Sequence, residues 1–218
     1  MVRGKSADPS VAEPEVPTQI KNPDLVRQRR RQIIDSTVKL FIEHGYHKTT
    51  TRMIARAAQF SVGSLYEYVS SKEDLLYLVC KTIHEEVEDA VSTALSDSDD
   101  ERQRLARAIY QYFHVCDRMA DHILLMYQVT QFLPEKWKNS ILLNELQITE
   151  IFIHALEALS GKKDFPVLDH KIINLVGHNI SVLGQMWAFR RWHVQKEFTI
   201  DTYIKIQTDF ILGLIFNP

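Results

Sequence analysis

The stretch that most constrains this chain runs from Thr49 to Leu75, TTTRMIARAAQFSVGSLYEYVSSKEDL. Helical spacing sets Met53, Ile54, Ala57 and Ala58 on one inward stripe of a helix over Thr51–Ala58, with Thr50 as its N-cap. The turn Gln59-Phe60-Ser61 follows, and Ser61 caps a second helix over Val62–Tyr68. Two helices of about two turns each do not persist alone in water. Neighbours must hold them, so the outward residues of the second helix sit on a rigid platform. Those residues, Val62, Gly63, Ser64 and Tyr66, are small or hydrogen-bonding. The pattern is a helix-turn-helix, an arrangement suited to setting a helix into a DNA major groove.

Charge is distributed in keeping with that reading. The formal net charge is -2, yet from Lys21 to Ser61 nine Lys or Arg stand against three Asp or Glu. From Val62 onward fifteen basic residues stand against twenty-two acidic ones. A basic segment joined to an acidic body suits a nucleic-acid binder with a second domain. The 218 residues include only 7 glycines and 7 prolines, and no alternating apolar pattern is bounded by hairpin turns, so the expected fold is all-α. Cys80 and Cys116 lie far apart and read as buried thiols rather than a disulfide. The N-terminus has no apolar core of a signal peptide. The uncharged run Ile172 to Phe189 is at the lower margin of spanning length and contains Asn174, His178, Asn179, Ser181 and Gln185, so it reads as a helix buried within protein. A cytoplasmic chain without a membrane partner is expected.

The chain divides into three parts. Residues 1–21, with Pro9, Pro14 and Pro17 and few large apolar groups, read as a disordered arm, in which Arg3 and Lys5 could reach DNA. Residues 22–71 read as the helix-turn-helix domain. Its first helix starts at Asn22-Pro23 and stops at Gly45, with Ile33, Ile34, Thr37, Val38, Phe41 and Ile42 inward. Arg27, Arg29, Arg30 and Arg31 put four arginines in five positions, a density that favours phosphate contact over a plain solvated face. Residues 72–218 form the helical body. Ser71 and Asp74 resemble a capping box for a long helix reaching about Leu95, and SDSDD breaks the pattern at Ser96 to Asp100. Five helices are expected beyond it: Asp99–Met119, Ala120–Phe132, Glu135–Leu159 (Leu142, Leu146, Ile153 and Leu156 inward), Leu168–His193 and Thr199–Phe216.

Gly45-Tyr46, Thr49-Thr50, Ile54-Ala55, Ala58, Gly63-Ser64-Leu65-Tyr66 and Lys72-Glu73-Asp74-Leu75 together resemble the head of the tetracycline-repressor-like (TetR) family of bacterial transcription regulators. Two positions depart from the family pattern: Gln59 stands where glycine is usual, and Val69 where phenylalanine is usual. The resemblance implies a three-helix DNA-binding head and a helical body for effector binding and dimerisation. It assigns Thr50 and Ser61 to phosphate-contacting caps, Tyr66 and Lys72 to backbone contacts, and Val62, Gly63, Ser64 and Tyr68 to the recognition surface. Arg30, Arg31 and Arg52 complete the expected DNA-binding set.

Family members pair through their last two helices, about 168–193 and 199–216 here. The chain agrees on its own account. The first of these is apolar on nearly all sides, with Gly177 and Gly184 seven apart on one stripe, which would permit close helix approach. The last adds Phe198, Ile200, Tyr203, Ile204, Ile206, Phe210, Ile211, Leu214 and Ile215. A two-fold homodimer would require a pseudo-palindromic operator.

The resemblance also implies an effector pocket in the body. Its candidate residues are Tyr112, Tyr127, Gln131, Phe152, His178, Asn179, Trp187 and Arg190. Arginine interleaved with rings at Trp187–His193 suits an anionic group beside an apolar tail, as in an acyl-CoA. No catalytic group, metal-ligand set or cofactor is expected: His pairs at i, i+4, a Gly-rich phosphate loop and a Ser-His-Asp or Cys-His arrangement are all lacking. The expected function is a ligand-responsive regulator, most simply a repressor. A helical protein-interaction module without sequence-specific DNA binding is the alternative.

Overall fold

The computed structural model describes residues 15–96, 100–162 and 165–216. Among them the protein is all-α, as expected, with nine α-helices and one 3-10 turn. They are α1 (Pro23–His44), α2 (Thr51–Ala57), α3 (Val62–Tyr66), α4 (Lys72–Ser96), α5 (Glu101–Arg118), α6 (Ala120–Val129), α7 (Glu135–Leu159), α8 (His170–Val194) and α9 (Ile200–Phe216), with the 3-10 turn Thr130–Phe132 after α6. Arg3, Lys5 and most of the SDSDD break lie outside the described residues.

Local signals set most boundaries. The Asn22 side chain accepts from the amides of Asp24 and Leu25, and Pro23 opens α1 where an N–H has no intrahelical partner. Gly45, at φ 80°, closes it through its amide to the Phe41 carbonyl. Thr50 caps α2, Ser61 caps α3, Asp100 caps α5 and Asp169 caps α8. At the start of α4 the Ser71 hydroxyl accepts from the Asp74 amide while the Asp74 carboxylate accepts from the amides of Ser70 and Ser71.

The chain forms two compact units. The first comprises the residues up to Lys81 together with Leu125–Asn144. Its core is Ile33, Ile34, Val38 and Phe41 of α1, Ile54 and Ala55 of α2, Leu65 of α3, Val69, and Leu75, Leu76 and Tyr77 of α4. Tyr77 stacks on Trp137 at 4.2 Å between centroids, and Tyr46 lies parallel to Phe132 at 5.8 Å. These rings explain why a segment from the middle of the body counts with the head.

The second unit comprises Thr82–Leu124 and Glu145–Pro218, with α5 packed on α8 and α9. Gly177 and Gly184 do permit close approach, but within this unit rather than between chains. A Cβ on Gly184 would stand 2.4 Å from Cε1 of Tyr112 in α5, and one on Gly177 would stand 2.5 Å from Cγ1 of Ile153 in α7. Ile42, Leu142 and Leu146, expected inward, are about half exposed. Ile42 lies one residue past the buried Phe41, whereas Leu142 and Leu146, four apart, share a face of α7 away from the buried Ile141, Asn144 and Ile148.

Residues 15–20 depart from the expected disordered arm. Val16 is buried, the Thr18 hydroxyl and Gln19 amide both donate to the Glu67 carbonyl, and Arg30 donates to the carbonyls of Val16 and Pro17. A single apolar side chain and the backbone carbonyls suffice to fasten the segment.

Candidate nucleic-acid interface

The head presents one short helix. Ser61 accepts from the Ser64 amide at 3.0 Å and its hydroxyl pairs with the Ser64 hydroxyl at 2.9 Å, fixing the first turn of α3. Leu65 is fully buried and anchors the helix from beneath. Ser61, Val62 and Gly63 are exposed and Ser64 is half-buried. The Gly63 face is open, since the nearest atom to a Cβ there would be the Ser61 hydroxyl at 3.8 Å. Tyr66 is 43% exposed, and its hydroxyl meets that of Thr51 at 3.2 Å, which steadies the ring against α2. Thr50, Arg52 and Arg31 are exposed, as are Arg27, Arg29 and Arg56. The Thr50 hydroxyl accepts from the Met53 amide.

Three expected DNA-contacting residues are turned inward. Tyr68 is a correction: α3 ends at Tyr66, and Tyr68 is 6% exposed, edge-on to Phe60 at 5.8 Å. Tyr68 stands three residues after the buried Leu65, and its amide bonds the Leu65 carbonyl, so it falls on the same inward face. Arg30 directs its Nε and Nη2 to the Tyr68 carbonyl, at 3.1 and 2.9 Å, and Nη2 also to Val16 at 2.7 Å. Burial lowers its pKa from the ordinary arginine value, opposed by the Glu15 and Asp74 carboxylates. Lys72 donates to the carbonyls of Tyr46 and Thr49 and lies 4.1 Å from the centre of the Tyr46 ring. Tyr46 in turn donates to Glu73 at 2.9 Å, and burial together with that carboxylate pushes its phenol well above the ordinary range. Lys72 thereby ties the loop after α1 to the start of α4.

Of the eight effector candidates, Tyr127 and Gln131 belong to the first unit and the other six to the second. Tyr112, Phe152 and Trp187 are core. The Tyr112 hydroxyl donates to the Ser181 carbonyl at 2.8 Å, and Trp187 Nε1 donates to Asp117 at 2.6 Å. Tyr127, Gln131, His178 and Arg190 are exposed and Asn179 is half-buried. The Arg190 guanidinium sits 5.4 Å from the Trp192 ring centre. One cleft of the second unit, about 400 Å³, is lined by Glu86, Asp89, Ala90, Thr93, Ala94, Arg107, Gln111 and Arg118, and none of the eight is among them. Composition and periodicity locate polar groups along a helix but not the cleft that tertiary packing leaves, so nothing in the sequence marks Arg107 and Arg118 as its lining.

Residues 33–78 match the model for bacterial regulatory proteins of the tetR family. Over 199 residues the chain is 30% identical to the HTH-type transcriptional regulator HbdR of Aromatoleum sp. (strain CIB), covering 91% of this chain and 85% of the relative. This chain belongs to the TetR family. It is a DNA-binding transcription regulator. The fatty acid metabolism regulator protein of Bacillus subtilis (strain 168) is 29% identical over 135 residues, 62% of this chain and 66% of the relative. The fold is also that of AibR, solved in complex with isovaleryl coenzyme A and operator DNA, with a TM-score of 0.67 at 17% identity over 87% of this chain and 99% of that one. In this TetR-family chain, α2 and α3 are the two helices of the helix-turn-helix, and both lie within the matched residues. No helix among the described residues is long and apolar enough to cross a membrane.

Proposed function

We propose that this regulator is a homodimeric repressor that occupies a pseudo-palindromic operator and leaves it when an acyl-CoA binds the body. The observation that carries the DNA-reading part is the α3 surface of Val62, Gly63, Ser64 and Tyr66, backed by exposed Arg31 and Arg52 and the caps Thr50 and Ser61. Small residues at the tip bring the backbone close to base edges, and the arginines neutralise flanking phosphates. With no arginine on α3 itself, discrimination rests on close fit and on DNA shape. Arg30 and Lys72 act from beneath. The head over 22–71 reads DNA, while the body over 72–218 binds the effector and dimerises. Binding chromosomal DNA implies a cytoplasmic site of action, and steric occupation of a promoter requires no enzymatic group.

Dimerisation is supported by apolar surface that the chain leaves uncovered. On α8, Ile172, Leu175 and Val182 are exposed, and on α9 so are Ile206, Phe210 and Leu214. Their spacings, three and seven on α8 and four on α9, form stripes such as a four-helix interface covers. The acyl-CoA reading is supported by AibR, whose complex contains isovaleryl coenzyme A, and by the fatty acid metabolism regulator as a relative. Arg190 beside Trp192, and Arg107 with Arg118 in the α5 cleft, are the cations within the body that could take its phosphates.

The test begins with a duplex selected by the protein from a random-sequence library, followed by gel shifts at two salt concentrations with and without acyl-CoAs of several chain lengths. The expected result is binding that weakens steeply with salt and is released by acyl-CoA but not by free CoA. Binding indifferent to salt would favour a protein-interaction module, and release by no acyl-CoA would remove that effector class.

A further inference from the structure

The recognition helix is five residues long, too short to hold its own register. Like any helix end, it leaves carbonyls that the next turn would have satisfied. Here the stretch that precedes α1, together with Arg30 of α1, bonds the two carbonyls that follow the helix. The Glu67 carbonyl accepts from the Thr18 hydroxyl at 2.9 Å and the Gln19 amide at 3.0 Å. The Tyr68 carbonyl accepts from Nε and Nη2 of Arg30. The same Nη2 reaches back to Val16 and Pro17, and Val16 is buried. One guanidinium therefore fastens three separate segments: α1, the stretch 15–20 and the exit of α3. The Asp74 carboxylate, which caps α4, and that of Glu15 lie close enough to favour its charge.

We infer that Arg30 and residues 16–20 form a clasp that sets the attitude of the recognition helix, so that Arg30 is a positioning residue for operator reading and not a phosphate contact. The inference rests on the DNA-binding reading above. Its chemistry separates the two roles. A phosphate contact needs only positive charge, and its loss flattens the dependence of log K on log salt by about 0.9. A clasp needs the planar fork that spans several carbonyls at once, which the single ammonium of lysine does not reproduce.

The experiment compares Arg30→Met, Arg30→Lys and Val16→Ser with the unaltered full chain. Val16→Ser loosens the strap while leaving every charge in place. The probe is the duplex that the unaltered chain selects from a random library, with a mixed-sequence duplex as control. All three variants should lose about tenfold or more in affinity for the selected duplex and little for the control. Arg30→Met should keep the salt slope, and Arg30→Lys should not rescue it. Hydrogen exchange over residues 60–70 should accelerate in each variant. A salt slope flattened by about one unit in Arg30→Met, with rescue by Arg30→Lys, would overturn the inference in favour of phosphate contact. So would a Val16→Ser protein with unaltered affinity and exchange, a variant that tests the clasp even if both Arg30 changes prevent folding. Failure of the unaltered chain to select any duplex would strike the DNA-binding reading first, and unaltered exchange would strike the clasp alone.

Discussion

Cys116 shows how firmly the inner surface of α5 is enclosed. Burial pushes its thiol up to about 12, and Cys80 is likewise buried and outside any disulfide. A folded-state pKa raised above the unfolded value contributes stability that is complete below the unfolded value of about 9 and lost as pH rises toward 12. At pH 8 both thiols should therefore resist Ellman's reagent in the folded protein and react fully in urea; rapid labelling of either without denaturant would contradict this packing. Beside Cys116, Gly184 leaves no room for a methyl group against the Tyr112 ring. Tyr112 is itself held by its bond to the Ser181 carbonyl and cannot swing aside. Gly184→Ala should destabilise the protein by about 1–3 kcal/mol in urea denaturation, through overpacking.

At the scale of elements, the turn between α2 and α3 carries a visible compromise. Gln59 adopts φ 61°, the left-handed region in which a Cβ crowds the backbone. Gln59→Gly should stabilise the protein by about 0.5–1 kcal/mol in chemical denaturation and leave operator affinity unchanged. That turn was legible as a departure from the family pattern, because conformation and residue type are linked locally. The caps Asn22, Thr50, Ser61 and Asp74 were legible for the same reason, since each bonds an amide within four residues. The inward turn of Arg30 was not. Its acceptors lie 14 and 38 residues away, and backbone carbonyls are the same at every position. The burial of Tyr68 was legible in part, since it stands three residues after Leu65 and shares its inward face. The cleft lined by Arg107 and Arg118 was not legible either, since a cleft is made by the gaps between helices and no single helix records it.

For the whole molecule the decisive quantity is the apolar surface still facing outward. Phe210 is 58% exposed and Leu175 62% exposed, and burying such a side chain contributes about 1.5–3 kcal/mol. A charge placed there must lose that contribution and be desolvated as well. Phe210→Asp and Leu175→Asp should each shift the protein from dimer to monomer in sedimentation velocity at micromolar concentration. Because a monomer reads only half of a palindrome, operator binding should fall together with assembly. A Phe210→Asp protein that remains dimeric would move the interface elsewhere. The charge division along the chain acts at this scale too, with an acidic body that repels DNA phosphates while the basic head draws them in.

The stacked rings at Tyr46 and Tyr77 bear on how such a regulator can be recombined. Since Phe132 and Trp137 belong to the same compact unit as α1–α3, the transplantable module is discontinuous in sequence. A chimera joined at Ser71 would leave Tyr46 against foreign side chains and would not carry Tyr77 at all. One joined at Lys81 that also imports Leu125–Asn144 keeps both ring pairs, so portability of the operator specificity is a property of two segments rather than one.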